Sequence, residues 1–109
     1  IDAAGSITLA VKKVRAKYKN KFKIEVETRN LTEVKEALEL GVDRIMLDNM
    51  DINTMKEAVK IIGKRAETEA SGNMTFERIG EVSETGVDFI SFGELTHTIK
   101  VFDFSLKKE

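Results

Sequence analysis

The 109-residue sequence predicts an α/β fold of about four βα units with parallel strands. Three observations predict it. Stretches of helical period alternate with stretches of strand period along the whole chain. The phrase Gly-Val-Asp followed by an apolar run occurs twice, as "GVDRIM" at 41–46 and "GVDFIS" at 86–91, 45 residues apart. Half that spacing is about one βα unit, so the repeat marks alternate units. No Pro-rich, Gly/Ser-rich or low-complexity tract interrupts the pattern, which argues for one segment without a linker.

Each element has its own warrant. Ile7, Ala10, Val11, Val14 and Tyr18 follow helical spacing behind Ser6 as cap, predicting a helix over 6–19. "KIEVE", 23–27, alternates with period two and reads as a strand. Asn30 with Glu33 resembles a capping box, Leu31, Val34 and Leu38 form a stripe, and Gly41 ends that helix. "DRIMLDN" is the second strand. Asp51 caps a third helix striped by Ile52, Met55, Val59 and Ile62 and stopped at Gly63. "ETEAS", 67–71, is a short third strand. Phe76, Ile79 and Val82 mark a fourth helix ending at Gly86. "DFISFG", 88–93, is a strand, and "VFDFSL", 101–106, alternates as a last one. Strands linked by helices of this length run parallel. A small open sheet and part of a barrel both fit, since a whole eight-unit barrel takes ~250 residues.

Composition removes several function classes. Eighteen basic and 19 acidic residues give net charge −1, with no bulk field for nucleic acid or an anionic membrane. There is no Cys, hence no disulfide framework or thiolate metal site, which is compatible with a cytoplasmic protein. No apolar run approaches the ~20 residues of a membrane span, and the first residues carry no signal-peptide pattern. GxGxxG and Walker A motifs are absent, so neither a dinucleotide fold nor a P-loop nucleotidase is supported.

The strands point to chemistry. Period two puts Glu25 with Glu27, Met46 with Asp48, and Glu67 and Glu69 with Ser71 on one face. Glu27, Asp48, Glu69 and Ser91 recur at spacings of 21, 21 and 22 and are expected side by side. They fall toward the carboxyl ends of strands, where α/β folds place ligand crevices. A solvated face would alternate in the same way, but parallel sheets normally have both faces covered. Clustered carboxylates raise one another's pKa. Most Lys and Arg lie on helices, and Lys23 and Arg44 stand at strand beginnings, so the counter-charge is expected from a divalent metal, a polyhydroxy ligand or groups elsewhere. Ser71-Gly72-Asn73 and Gly93 follow successive strands, as in phosphate-binding βα loops. His97, the sole His, has no second His or Cys for a metal site; it is either a surface residue or a phosphate contact. The four Met residues read as core filler.

Taken together, "IEVE", "IMLDNM", "EASGN", "ETGVDFISFGELTH" and "DFSL" resemble, in this order, the C-terminal part of the quinolinate phosphoribosyltransferase family, also called carboxylating nicotinate-nucleotide pyrophosphorylases. The resemblance covers essentially all 109 residues and implies a partial (β/α) barrel from a cytoplasmic, homo-oligomeric enzyme. Its reaction would join quinolinate to phosphoribosyl pyrophosphate and release pyrophosphate and carbon dioxide, giving nicotinate mononucleotide for NAD biosynthesis. Carried over by residue, Glu27 and Asp48 would hold the ribose hydroxyls, directly or through Mg2+. Ser71, Gly72 and Asn73 would cradle the 5′-phosphate with Phe92, Gly93 and Glu94, and His97 would lie beside them. Glu94 departs from the family's pattern there and must point away from phosphate. The family's cationic substrate grip lies upstream of Ile1, so this stretch alone is expected to be inactive. The alternatives are a ModD-like pyrophosphorylase, from the molybdenum-transport relatives, and a non-catalytic phosphate-binding half-barrel module.

Overall fold

The computed structural model describes residues 3–19, 21–92 and 99–102. Its elements are α1 (Ala3–Tyr18), β1 (Lys23–Thr28), α2 (Leu31–Glu39), β2 (Arg44–Asp48), α3 (Ile52–Ile62), β3 (Glu67–Ser71), α4 (Phe76–Ser83), β4 (Phe89–Ile90) and β5 (Ile99–Phe102). The sheet order is β4-β3-β2-β1-β5. β1 to β4 are parallel neighbours in chain order, and β5 runs antiparallel beside β1. The α/β alternation is therefore as the sequence predicts. Three details differ. α1 starts three residues before Ser6. β4 keeps two residues of the expected 88–93. The last strand sits at 99–102 and not 101–106, while 103–109 lie outside the described residues.

Helix starts are set by local hydrogen bonds. Asn30 Oδ1 accepts from Glu33 N at 2.9 Å, and the Glu33 carboxylate accepts from Arg29 N at 2.7 Å. Asp51 accepts from Thr54 N at 2.7 Å, and Thr75 Oγ1 from Arg78 N at 3.2 Å. Each cap satisfies donors that the first helical turn leaves without partners.

One face of the sheet carries the apolar core. Ile24, Val26, Ile45, Leu47 and Ala70 pack with Ile7 and Val11 of α1, Val34 and Ala37 of α2, Met55, Ala58 and Ile62 of α3 and Val82 of α4. Burying each larger aliphatic side chain contributes roughly 1.5–3 kcal/mol. The helices therefore stack against this face and leave the other to the second set of alternating side chains.

The Gly-Val-Asp repeat has a structural explanation. Asp43 stands just before β2, and its Oδ2 accepts from Ile24 N of β1 at 2.8 Å, while its own N–H donates to Ile24 O at 3.0 Å. Asp88 stands before β4 and does the same for β3: its Oδ2 accepts from Thr68 N at 2.9 Å and Thr68 Oγ1 at 3.1 Å. Each Asp ties the start of the neighbouring strand, fixing register at the end opposite the carboxyl ends of the strands.

Candidate functional site

The second face is polar and, at Glu25, Glu27, Arg44, Met46, Glu69 and Ser71, still buried. Its rows follow from strand register. Glu25, Arg44 and Glu67 form the lowest row, at the strand beginnings. Glu27, Met46, Glu69 and Phe89 form the next. Asp48 and Ser71 pair in the row nearest the strand ends. The expected side-by-side line of Glu27, Asp48, Glu69 and Ser91 is thus corrected, with Ser91 just past β4, its N–H donating to Ala70 O at 2.8 Å. Glu27 and Glu69 share a row with Met46 between them, and Asp48 stands one step higher, beside Ser71. Equal spacing in sequence keeps residues on one face, but the register sets the row, and β2 pairs two residues out of step with that spacing. Met46 is buried on this face, outside the apolar cluster.

Glu27 and Asp48 do meet. Glu27 is 7% exposed. Burial, a side-chain hydrogen bond with Asp48 and the Asp48 charge push the Glu27 carboxyl up from 4.5 to about 7, against the opposing pull of Arg29. Two carboxyl groups in contact hold one proton between them more easily than none. Arg29 Nη2 lies 3.7 Å from Glu27 Oε2. Arg29 is itself exposed, so its attraction is screened and does not overcome burial. Ser71 Oγ approaches Asp48 Oδ1 at 3.5 Å, the long limit of a hydrogen bond.

The lower rows overturn the expected shortage of cations. Arg44 is 4% exposed and folds into the polar face. Its Nε and Nη2 donate to Glu67 Oε1 at 3.1 and 3.0 Å. Its Nη1 lies 3.6 Å from Glu69 Oε1, and its guanidinium carbon lies 4.2 Å above the Phe89 ring. The strand beginning is a workable place for this Arg because its long side chain reaches along the face to the next row.

Above the sheet, two βα turns are clasped together. Asn49, in the left-handed region at φ 56°, donates its N–H to Ser71 O at 2.8 Å. Gly72 has φ +99°, and a Cβ there would stand 2.9 Å from Asn49 N. Only glycine fits that approach without strain. Arg78, on the first turn of α4, donates to Met50 O. Asp51 next to it is held below the usual carboxylate range by its hydrogen bonds to Thr54 and, to a lesser degree, by Arg78. The structure therefore brings Glu27, Asp48, Ser71 and Gly72 to one mouth, with Asn73 exposed on its rim. Phe92, 67% exposed, follows β4. Gly93, Glu94 and His97 lie outside the described residues.

Sequence reasoning missed Arg44 as the internal counter-charge and Arg29 and Arg78 as cations at the mouth end. A signal existed for Arg29: it lies two residues past Glu27, on the face that period two assigns to Glu27. For the metal, the donor set is two hard carboxylates in contact, one of them raised by burial and by the other's hydrogen bond and charge. Magnesium is held by one or two carboxylates together with water and substrate oxygens, so Glu27 and Asp48 fit it. Among the described residues no group of three or more His, Cys, Asp or Glu stands ready as a closed metal cage. A shallow cleft of about 570 Å³ opens at the opposite end, near Gly41, Asp43, Gly63, Glu67 and Asp88. Its Asp43 and Asp88 are committed to strand ties, so it is not the candidate site.

The family model for the quinolinate phosphoribosyl transferase C-terminal domain matches residues 1–107. The chain is 47% identical to a chloroplastic carboxylating nicotinate-nucleotide pyrophosphorylase of Arabidopsis thaliana, over 98% of this chain and 36% of that protein. It is 50% identical to a probable carboxylating nicotinate-nucleotide pyrophosphorylase of Synechocystis, over 84% of this chain and 32% of that protein. Among solved structures it is similar to a nicotinate-nucleotide pyrophosphorylase from Ehrlichia chaffeensis, with TM-score 0.76 and 35% identity over 91% of this chain and 38% of that one. The NadC structure from Streptococcus pyogenes gives TM-score 0.76 and 37% identity over 93% of this chain and 35% of that one. The chain thus spans about a third of the length of the curated relatives it matches, and its four parallel units have the architecture of a partial barrel.

Proposed function

Because the chain belongs to the quinolinate phosphoribosyl transferase family, through that family's C-terminal domain, we propose that it is one segment of a longer transferase that builds nicotinate mononucleotide from quinolinate and phosphoribosyl pyrophosphate. The reaction forms a bond from the pyridine nitrogen to C1 of the ribose, breaks the bond to pyrophosphate, and loses the 2-carboxylate as carbon dioxide, a proton from water taking its place on ring C2. The observation that carries the reading is the Glu27–Asp48 pair at the carboxyl ends of β1 and β2, next to the Gly72 turn.

Each residue has a definite task in this reading. The two carboxyl groups accept hydrogen bonds from the ribose hydroxyls and fix the sugar against the incoming nitrogen, a positioning effect. Their shared proton leaves when hydroxyls or a cation take its place. Glu27 and Asp48 would hold magnesium, which neutralises charge on the departing pyrophosphate. The backbone of Ser71, Gly72 and Asn73, near the N-terminus of α4, takes the 5′-phosphate. Further cations for quinolinate and pyrophosphate would come from the rest of a protein of the relatives' length, which we propose is a homodimer or larger.

No helix among the described residues is long and apolar enough to cross a membrane. We propose a cytosolic location, with which the lack of cysteine is compatible; the Arabidopsis relative's name places that protein in the chloroplast. The test is turnover by the whole-length protein with quinolinate and with other pyridine carboxylates. Nicotinate mononucleotide and carbon dioxide in equal amounts support the reading. Turnover of another acceptor alone points to the ModD-like alternative, and donor binding without turnover to the non-catalytic one.

A further inference from the structure

Three carboxylates on the polar face lie within two rows of the mouth, yet only Glu27 and Asp48 touch each other. Glu69 shares the Glu27 row, on the far side of Met46. It is buried, and its Oε1 accepts no hydrogen bond. Its counter-charge is Arg44 Nη1 at 3.6 Å, reaching up from the row below. Arg44 is in turn fixed by its two bonds to Glu67 Oε1 and by the Phe89 ring, whose centroid lies 4.2 Å from the guanidinium carbon. A guanidinium held on three sides keeps one orientation, which a Lys ammonium in the same place would not.

Position makes this charge matter. Glu69 stands two residues before Ser71 on the same face of β3, a rise of about 7 Å. A bare carboxylate at that depth would repel a phosphate group at the Ser71–Gly72 turn. Glu69 and Ser71 are both buried, so salt screens this repulsion only weakly.

We propose that Arg44 is a positioning residue of the donor site: it holds Glu69 in the lower layer and cancels its charge, so that the phosphorylated sugar meets Glu27 and Asp48 alone. The inference rests on the transferase reading above, since it takes phosphoribosyl pyrophosphate as the ligand. The balance has a reciprocal consequence. Removing the cation leaves Glu67 and Glu69 without their shared counter-charge, and removing Glu69 takes one negative charge away and leaves Arg44 to Glu67.

The experiment measures affinity of the whole-length protein for phosphoribosyl pyrophosphate by calorimetry and its KM by turnover, with thermal melting of each variant. Arg44→Met is expected to weaken donor binding about fivefold to tenfold, the effect of one charge at this distance in a partly screened site. Glu69→Gln is expected to tighten it several-fold. The double variant should return close to the starting affinity, and Arg44→Lys should keep affinity while melting lower. A purely structural Arg44 predicts losses in every variant, with the double no better than Arg44→Met, and that pattern overturns the proposal. If Arg44→Met fails to fold, unchanged or weaker donor binding by Glu69→Gln overturns it alone. Unaltered protein that binds no donor instead defeats the transferase reading, and this inference falls with it.

Discussion

Replacing Glu27 by Gln isolates the proton shared with Asp48. The folded chain holds this proton up to about pH 7, while an unperturbed carboxyl loses it near 4.5. Between those values the folded state binds more protons than the unfolded one. The associated stability is therefore fully present below pH 4.5 and is lost as pH rises through 7. The gap between the two values corresponds to about 3 kcal/mol, an upper figure for a group this deeply buried. Gln keeps a donor toward Asp48 but has no charge to bury. Urea unfolding of both proteins from pH 4 to 9 at fixed ionic strength gives the difference profile. The variant should match the unaltered chain near pH 4.5 and exceed it by about 2–3 kcal/mol at pH 8. A difference that stays flat across this range, or a variant less stable at pH 8, would refute the reasoning about the pair.

Further expectations follow from the same geometry. Gly72→Ala should cost about 1–3 kcal/mol in urea unfolding, because φ is +99° and the new Cβ meets Asn49 backbone at 2.9 Å; a neutral result would mean the two turns are not clasped. Asp43→Ala removes the acceptor for Ile24 N and should lower stability by about 1–2 kcal/mol, with loss of hydrogen-exchange protection concentrated at the start of β1; uniform loss would count against a local strand tie. Ile45→Ala, at a fully buried centre of the core, should cost about 2–5 kcal/mol. The 109-residue chain by itself should show no transferase turnover when free of other chains, and measurable turnover would remove the need for cations from elsewhere.

The alternation of helices and strands was legible because Asn30 and Asp51 sit where helix donors need acceptors, and because the apolar halves of β1 and β2 separate cleanly by period two. The Glu27–Asp48 association was legible in part: both residues fall on the polar face, which period two shows. That they touch while Glu69 does not was hidden, since register depends on how strands pair and not on spacing along the chain. Arg44 was misread for a related reason. A position at a strand beginning fixes where its Cα lies, but a long side chain can deliver its charge a row away. The Gly-Val-Asp repeat was visible as a phrase, and its meaning was not, because the bond it makes reaches a neighbouring strand. The antiparallel β5 beside β1 leaves no mark in the alternation at all.

The central claim is that Glu27 and Asp48 together bind the sugar of the donor. Its most direct test is steady-state turnover of quinolinate by the whole-length protein carrying Glu27→Gln or Asp48→Asn, with folding checked by circular dichroism. A folded variant should lose about a hundredfold or more in kcat/KM for phosphoribosyl pyrophosphate. Folded variants that keep the starting kcat/KM would contradict the assignment of this pair to the reaction.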